Sequence, residues 1–172
     1  MSRDSDKSLW LRQTLDQYEG RLVRYTQRIT GNFEQATEVV QDAFLEMWRA
    51  GPSALGDKLA PWLFTVCRNR ALDVRRKEGR MQTTGDMDQL GSAAFSADQS
   101  SSGQNGLDDN VAAALNGLSP RQNEMIRLKF QEGLSYREIA KVTGMSESNV
   151  GFQIHAAVKT LRQQLAPKGD KK

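Results

Sequence analysis

Apolar residues in this chain recur at steps of three and four almost throughout, and that period commits the backbone to helices. Leu11, Leu15, Tyr18, Leu22, Tyr25 and Ile29 form one stripe of a long amphipathic helix, which Gly31-Asn32 should end. Ala36, Val39, Val40, Ala43, Phe44, Met47 and Trp48 form the inner face of a second, stopped by Ala50-Gly51-Pro52. A loop is expected from Ser53 to Ala60. Pro61 suits a first helical position and opens a third helix through Trp62, Val66, Cys67, Ala71 and Val74. No stretch alternates polar and apolar residues between hairpin turns, so no sheet is expected. The fold class is all-α.

Composition changes at Met81. From there to Asp109 the sequence is rich in Gly, Ser, Gln and Asp, and it contains Asp86, Asp88, Asp98, Asp108 and Asp109 but no Lys or Arg. So little apolar surface cannot offset the entropy of ordering. Residues 81–109 are therefore expected to be a flexible acidic linker between two small helical domains, 1–80 and 110–172. A plain spacer has such a composition; the single sign of its charge leaves room for a basic partner surface.

Beyond the linker, Val111 to Leu115 is a short apolar turn ending at Asn116-Gly117. Ser119-Pro120-Arg121-Gln122 places an N-cap, a first-position proline and a capping-box glutamine in order. The helix it opens has an expected inner face of Met125, Ile126, Leu128 and Phe130, and Gly133 ends it. Ser135 to Glu138 is a second capping box, leading into Ile139, Ala140 and Val142. Thr143-Gly144-Met145 is the turn, and Ser146 caps a last helix with Val150, Ile154, Ala157, Val158 and Leu161 inside.

A small residue where two short helices cross, a glycine in the turn and a valine that locks the second helix define a helix-turn-helix. The span is roughly Ser119 to Leu165. Such a pair leaves its second helix able to enter a major groove, presenting Ser148, Gly151, Phe152, His155 and Lys159. Ser146, Ser148 and Asn149 stand at its N-terminus, where phosphates are held. Phe152 has two candidate roles, contact with a thymine methyl or simple packing, and His155 is either a reader of the groove or an ordinary surface histidine.

With 24 Lys+Arg against 21 Asp+Glu the net charge is only +3, so its distribution matters more than its sum. Basic charge concentrates in the third helix, with Arg68, Arg70, Arg75, Arg76, Lys77 and Arg80 against Asp73 and Glu78. One cysteine, Cys67, and one histidine, His155, permit neither an internal disulfide nor a Cys/His zinc site. There is no glycine-rich phosphate loop and no obvious nucleophile for the histidine, so a regulator without a cofactor is expected rather than an enzyme. The N-terminus, MSRDSDKSLWLRQ, lacks the apolar core of a signal peptide, and no stretch nears the ~20 apolar residues of a membrane span. A cytoplasmic location without membrane insertion is the expectation.

Three runs then occur in order: Ala36 to Arg49 (ATEVVQDAFLEMWR), Pro61 to Arg76 (PWLFTVCRNRALDVRR), and LSPRQ at Leu118 continuing to Leu161-Arg162. They resemble, respectively, the region-two helix, the promoter-reading helix and region four of the extracytoplasmic-function group (group 4) of bacterial sigma-70 factors. The resemblance covers nearly all residues outside the linker.

That resemblance implies a factor that binds bacterial core RNA polymerase and directs initiation at promoters. The second helix would dock on the polymerase's largest subunit through Glu34, Glu38, Gln41 and Asp42. Gln35 and Thr37 stand where the family commonly has acids, which implies weaker or conditional docking. The third helix and the segment before it would recognise and melt the minus-ten element. Asn69 would read a base edge; Arg68, Arg70, Arg75, Arg76 and Lys77 would supply charge; Leu55 to Ala60 would enclose a flipped base. Trp62 and Phe64 would stack on bases unless the core buries them.

The last helix would bind the minus-thirty-five duplex. Where the family has several basic residues after the valine, this chain has Gly151, Gln153, Ala156 and Val158, so weak binding by that domain alone is implied. The linker would follow a basic RNA channel, and an anti-sigma factor or other regulator is a further implied partner. Two other readings stay open at this point. One is a conventional helix-turn-helix regulator that binds duplex without polymerase; the other is an enzyme with an incidental helical hairpin.

Overall fold

Helix α1 (Ser2–Thr30) carries the first apolar stripe and stops at the expected glycine. Gly31 lies at φ 72°, a left-handed conformation that a residue without Cβ adopts at little cost, and its N–H donates to the Gln27 carbonyl at 2.7 Å. Asn32 then caps α2 (Phe33–Ala50), its Oδ1 accepting from the Gln35 N–H at 3.1 Å. Stop and start occupy two residues, and α2 folds back along α1.

The computed structural model describes residues 2–82 and 106–167, whose contacts divide them into an N-terminal and a C-terminal unit. All regular structure among the described residues is helical.

In the N-terminal unit the segment expected as a loop is instead wound. Pro52 is the first residue of a one-turn helix, α3 (Pro52–Leu55), and a 3-10 turn (Gly56–Lys58) leads into α4 (Leu59–Gln82). Pro52 pre-sets a helical φ, and Leu55, 8% exposed, is drawn into the core. Pro61 falls on the third residue of α4 rather than the first. Its missing N–H costs little there, because the first four donors of a helix have no intrahelical partner.

Helices α1, α2 and α4 pack against one another in pairs. Their buried residues are Leu22, Tyr25 and Ile29, then Val40, Ala43 and Met47, then Leu63, Phe64, Cys67 and Ala71. Phe64 is fully buried, its ring meeting Tyr25 edge-on with centroids 5.2 Å apart. Burial of such a ring contributes about 1.5–3 kcal/mol.

The C-terminal unit contains α5 (Gly106–Asn116), α6 (Pro120–Ile126), a π-helical turn (Arg127–Gln131), α7 (Tyr136–Thr143) and α8 (Glu147–Leu165). Because α5 starts at Gly106, Asp108 and Asp109 belong to a helix rather than to the linker; at the other boundary α4 continues through Gln82. The rest of the acidic linker, 83–105, lies outside the described residues. Both capping boxes form. The Ser119 N–H donates to Gln122 Oε1 at 3.3 Å and the Gln122 N–H to Ser119 Oγ at 3.2 Å. Ser135 and Glu138 exchange the same bonds at 2.8 and 3.2 Å.

One core residue is corrected. Phe130, expected on the inner face, is 64% exposed, while Arg127 is 5% exposed. The backbone takes the wider π-helical turn here, and a polar cluster fills the inward position. Arg127 Nε donates to Asn123 Oδ1 at 2.6 Å, and Asn123 Nδ2 donates to the Leu115 carbonyl at 2.8 Å. The pairing lets two buried polar side chains replace a phenyl ring without leaving an unmet donor at either atom.

Candidate nucleic-acid interface

Helix α4 distributes its cations in two directions. Arg70 reaches α2, with NH1 3.3 Å from Asp42 Oδ2 and NH2 bonded to Glu46 Oε1. Arg75 donates to the Ile29 carbonyl at 3.1 Å, at the C-terminal end of α1 where the helix dipole favours a cation. These two tie the bundle together. Arg76 is exposed and pairs with Asp73 at 3.2 Å, and Lys77 and Asn69 are exposed as well. Trp62 and Arg68 are half-buried.

Helical spacing puts Trp62, Asn69, Asp73, Arg76 and Lys77 on one face. Phe64 is a correction: facing Tyr25 in the core, it has no surface on which a base could stack. Of the segment before α4, Leu55 is buried and Gly56, Asp57 and Lys58 are exposed.

On α2 the residues Glu34, Glu38, Gln41 and Asp42 are exposed, opposite the buried Ala36, Val39, Val40, Ala43 and Met47. Sequence reasoning missed Leu45, 55% exposed one turn beyond Gln41. Its signal was available, since Leu45 falls outside the apolar stripe that defines the inner face. Gln35, conspicuous as a neutral residue, has a structural partner: its Nε2 donates to Glu78 Oε1 on α4. The Thr37 hydroxyl donates to the Phe33 carbonyl at 2.9 Å.

The turn between α7 and α8 passes through Gly144 at φ 72°, and Ser146 Oγ accepts from the Asn149 N–H at 3.2 Å to cap α8. Val150, Ile154 and Ala157 hold α8 down; Val158 and Leu161 are half-buried. Ser148, Asn149, Phe152, His155 and Lys159 are exposed. Gly151 is half-buried because the Tyr136 ring lies beside it: a Cβ added there would be 3.5 Å from Tyr136 Cε2. Tyr136 was another residue the sequence reading passed over, and Lys129 Nζ sits 5.1 Å from its ring centroid. At 69% exposed, Phe152 is not a packing residue.

A basic, partly aromatic face on one helix and an uncovered second helix of a helix-turn-helix define an all-helical DNA-binding protein. Comparison with known proteins narrows the class. Residues 14–81 match the family model for sigma-70 region 2, and residues 108–161 match that for sigma-70, region 4. The ECF RNA polymerase sigma factor SigL of Mycobacterium tuberculosis is 34% identical over 163 residues, covering 92% of this chain and 90% of its own. The sigma factor CarQ of Myxococcus xanthus is 27% identical, over 87% of this chain and 90% of its own. Among solved structures, the sigma factor RpoE in complex with the anti-sigma factor NepR, from Bartonella quintana, superposes with a TM-score of 0.61 at 26% identity; 90% of this chain and 95% of that chain are covered.

The chain belongs to the sigma-70 family, in its extracytoplasmic-function group, and is a promoter-specific transcription initiation factor. That family is one of non-enzymatic transcription factors. No helix among the described residues is long and apolar enough to cross a membrane.

Proposed function

We propose that the chain docks on bacterial core RNA polymerase through the outer face of α2, opens the minus-ten element with the outward face of α4, and sets α8 on the minus-thirty-five duplex. One observation carries the reading: two chemically opposite faces on one three-helix unit. Helix α2 presents Glu34, Glu38, Gln41 and Leu45, which would repel a phosphate backbone and suit a protein surface. Helix α4 presents Trp62, Asn69, Lys77 and the Arg76–Asp73 pair, a face of net positive charge that suits an opened strand.

Arg70 and Arg75 act in this reading by positioning the faces, and Asp42 contributes to docking through the same network. Arg68, half-buried, flanks the nucleic-acid face. Residues 1–80 thus form the docking and melting unit and 110–172 the minus-thirty-five unit. The remaining linker aspartates, Asp86, Asp88 and Asp98, match the charge of a basic channel built to pass RNA. On α8, Ser148, Asn149, Phe152, His155 and Lys159 face the groove, Ser146 fixes the helix start, and Gly151 gives Tyr136 room. The protein acts in the cytoplasm, without catalysis or cofactor. An anti-sigma factor, the kind of partner with which the Bartonella quintana protein was solved, would cover the same two surfaces.

The test is run-off transcription with purified core polymerase on fragmented bacterial genomic DNA. Addition of the chain should yield transcripts with defined starts that core alone does not make. Leu45→Asp should remove them together with polymerase binding, while leaving the helical content intact. If no new transcripts appear and the chain alone binds duplex tightly, it is a conventional regulator instead.

A further inference from the structure

The exposed strip of α8 has an unusual chemistry for a helix that meets DNA. Ser148, Phe152, His155 and Lys159 recur at steps of four, three and four, so they line one side of the helix. Only the last is a permanent cation. At the centre stands a phenyl ring with 69% of its surface in water, although the buried Val150, Ile154 and Ala157 already provide the packing face. Ser146 is occupied as a cap and Gly151 lies against Tyr136, so neither supplies a base contact beside the ring. Towards its C-terminal end the same helix adds the exposed cations Lys159 and Arg162, while its first turn carries the exposed Glu147. The C-terminal end of the strip therefore suits phosphates while its centre suits something apolar.

The major-groove edge of a base pair offers one apolar group, the C5-methyl of thymine. We infer that Phe152 is a specificity-determining residue that packs on a thymine methyl in the minus-thirty-five duplex. This rests on the reading that α8 enters the groove there, and deepens it. A cytosine in the same place presents a bare C5–H where thymine carries its methyl, so the ring loses that contact. Phe152 thus discriminates through the methyl itself. Base choice at that step depends on an apolar contact, so it should change little with salt, unlike the phosphate contribution around it.

The experiment selects promoter duplexes with holoenzyme, formed from core polymerase and the full chain, out of a randomised library copied with either dTTP or dUTP. Uracil keeps every hydrogen-bonding edge of thymine and lacks only the methyl. With dTTP, one upstream position should be enriched in thymine; with dUTP that enrichment should fall about fourfold, the worth of one buried methyl. Phe152→Ala holoenzyme should show no difference between the libraries at that position, and Phe152→Leu an intermediate one. Equal enrichment in both libraries with the unaltered chain overturns the inference, as does a methyl effect that survives Phe152→Ala. Absence of any upstream sequence preference overturns instead the placement of α8, so the two failures are distinguishable.

Discussion

Arg70 and Asp42 are bound to each other at 3.3 Å, which ties α4, with its proposed nucleic-acid face, to α2 and its acidic face. Glu46, bonded to the second nitrogen of the same guanidinium, completes the contact. Both carboxylates and the guanidinium are more than a third exposed, so solvent screens the attraction. The importance of the pair is geometric. It joins α2 to α4 midway along both helices.

Arg70→Ala should therefore cost little stability, about 0.2–1 kcal/mol at low salt and less as salt rises. Urea unfolding at two ionic strengths measures it. Adding Asp42→Asn and Glu46→Gln to that variant should change almost nothing further, because the partner is already gone. Fully additive losses would show that the three side chains do not act together.

The contrast between Phe64 and Trp62 gives a sharper separation of roles. Phe64→Ala removes a fully buried ring and should destabilise by about 3–5 kcal/mol, with early unfolding in urea. Trp62 is half-buried on the outward face, so Trp62→Ala should cost much less stability while reducing promoter opening. Permanganate reactivity of minus-ten thymines in the holoenzyme reads the second effect. Unchanged reactivity would return Trp62 to a purely structural role.

These two aromatics also show where the sequence was and was not legible. Periodicity located the stripes Leu22–Tyr25–Ile29 and Val39–Val40–Ala43–Met47, because burial along one helix repeats with the helix itself. Caps were legible for a similar reason: the bonds of Ser119, Ser135 and Ser146 span three residues. What escaped were relations across helices. Nothing local says that Phe64 meets Tyr25, that Arg70 turns to Asp42, or that Arg75 reaches the Ile29 carbonyl. A basic run in sequence therefore overstated the cations that face outward. Phe130 was misplaced for a related reason, since a π-helical turn changes the period on which the inner face was counted.

Burial in the three-helix core pushes the Cys67 thiol from 9.0 up to about 12, the nearby Thr26 hydroxyl acting in the opposite direction. The folded state thus holds this proton more tightly than the unfolded chain does. Below about pH 9 both states keep it, and the contribution to stability is complete; as pH rises from 9 toward 12, the unfolded chain alone ionises and stability falls. Cys67→Ala should lose less stability than the unaltered protein over that range. Urea midpoints against pH provide the comparison, and parallel curves would refute it. Thiol reagents should likewise react at the rate of unfolding, since the folded thiol is both buried and protonated.

Gly151 and Gly144 sit seven residues apart and should respond to alanine in opposite directions. Gly144 occupies the turn at φ 72°, where any Cβ is strained although nothing crowds it, so Gly144→Ala should destabilise by about 1–2 kcal/mol. Gly151 lies inside α8, where glycine weakens a helix by about 0.5–1 kcal/mol relative to alanine. Its added methyl would meet Tyr136 at 3.5 and 3.6 Å, an ordinary contact. Gly151→Ala should therefore stabilise the C-terminal unit, as read by amide exchange across α8. Destabilisation instead would mean that the gain in helix propensity is not realised at this position. If stability rises while transcription from the selected promoter falls, then the space beside Phe152 is needed by the DNA, and a weaker helix is retained to provide it.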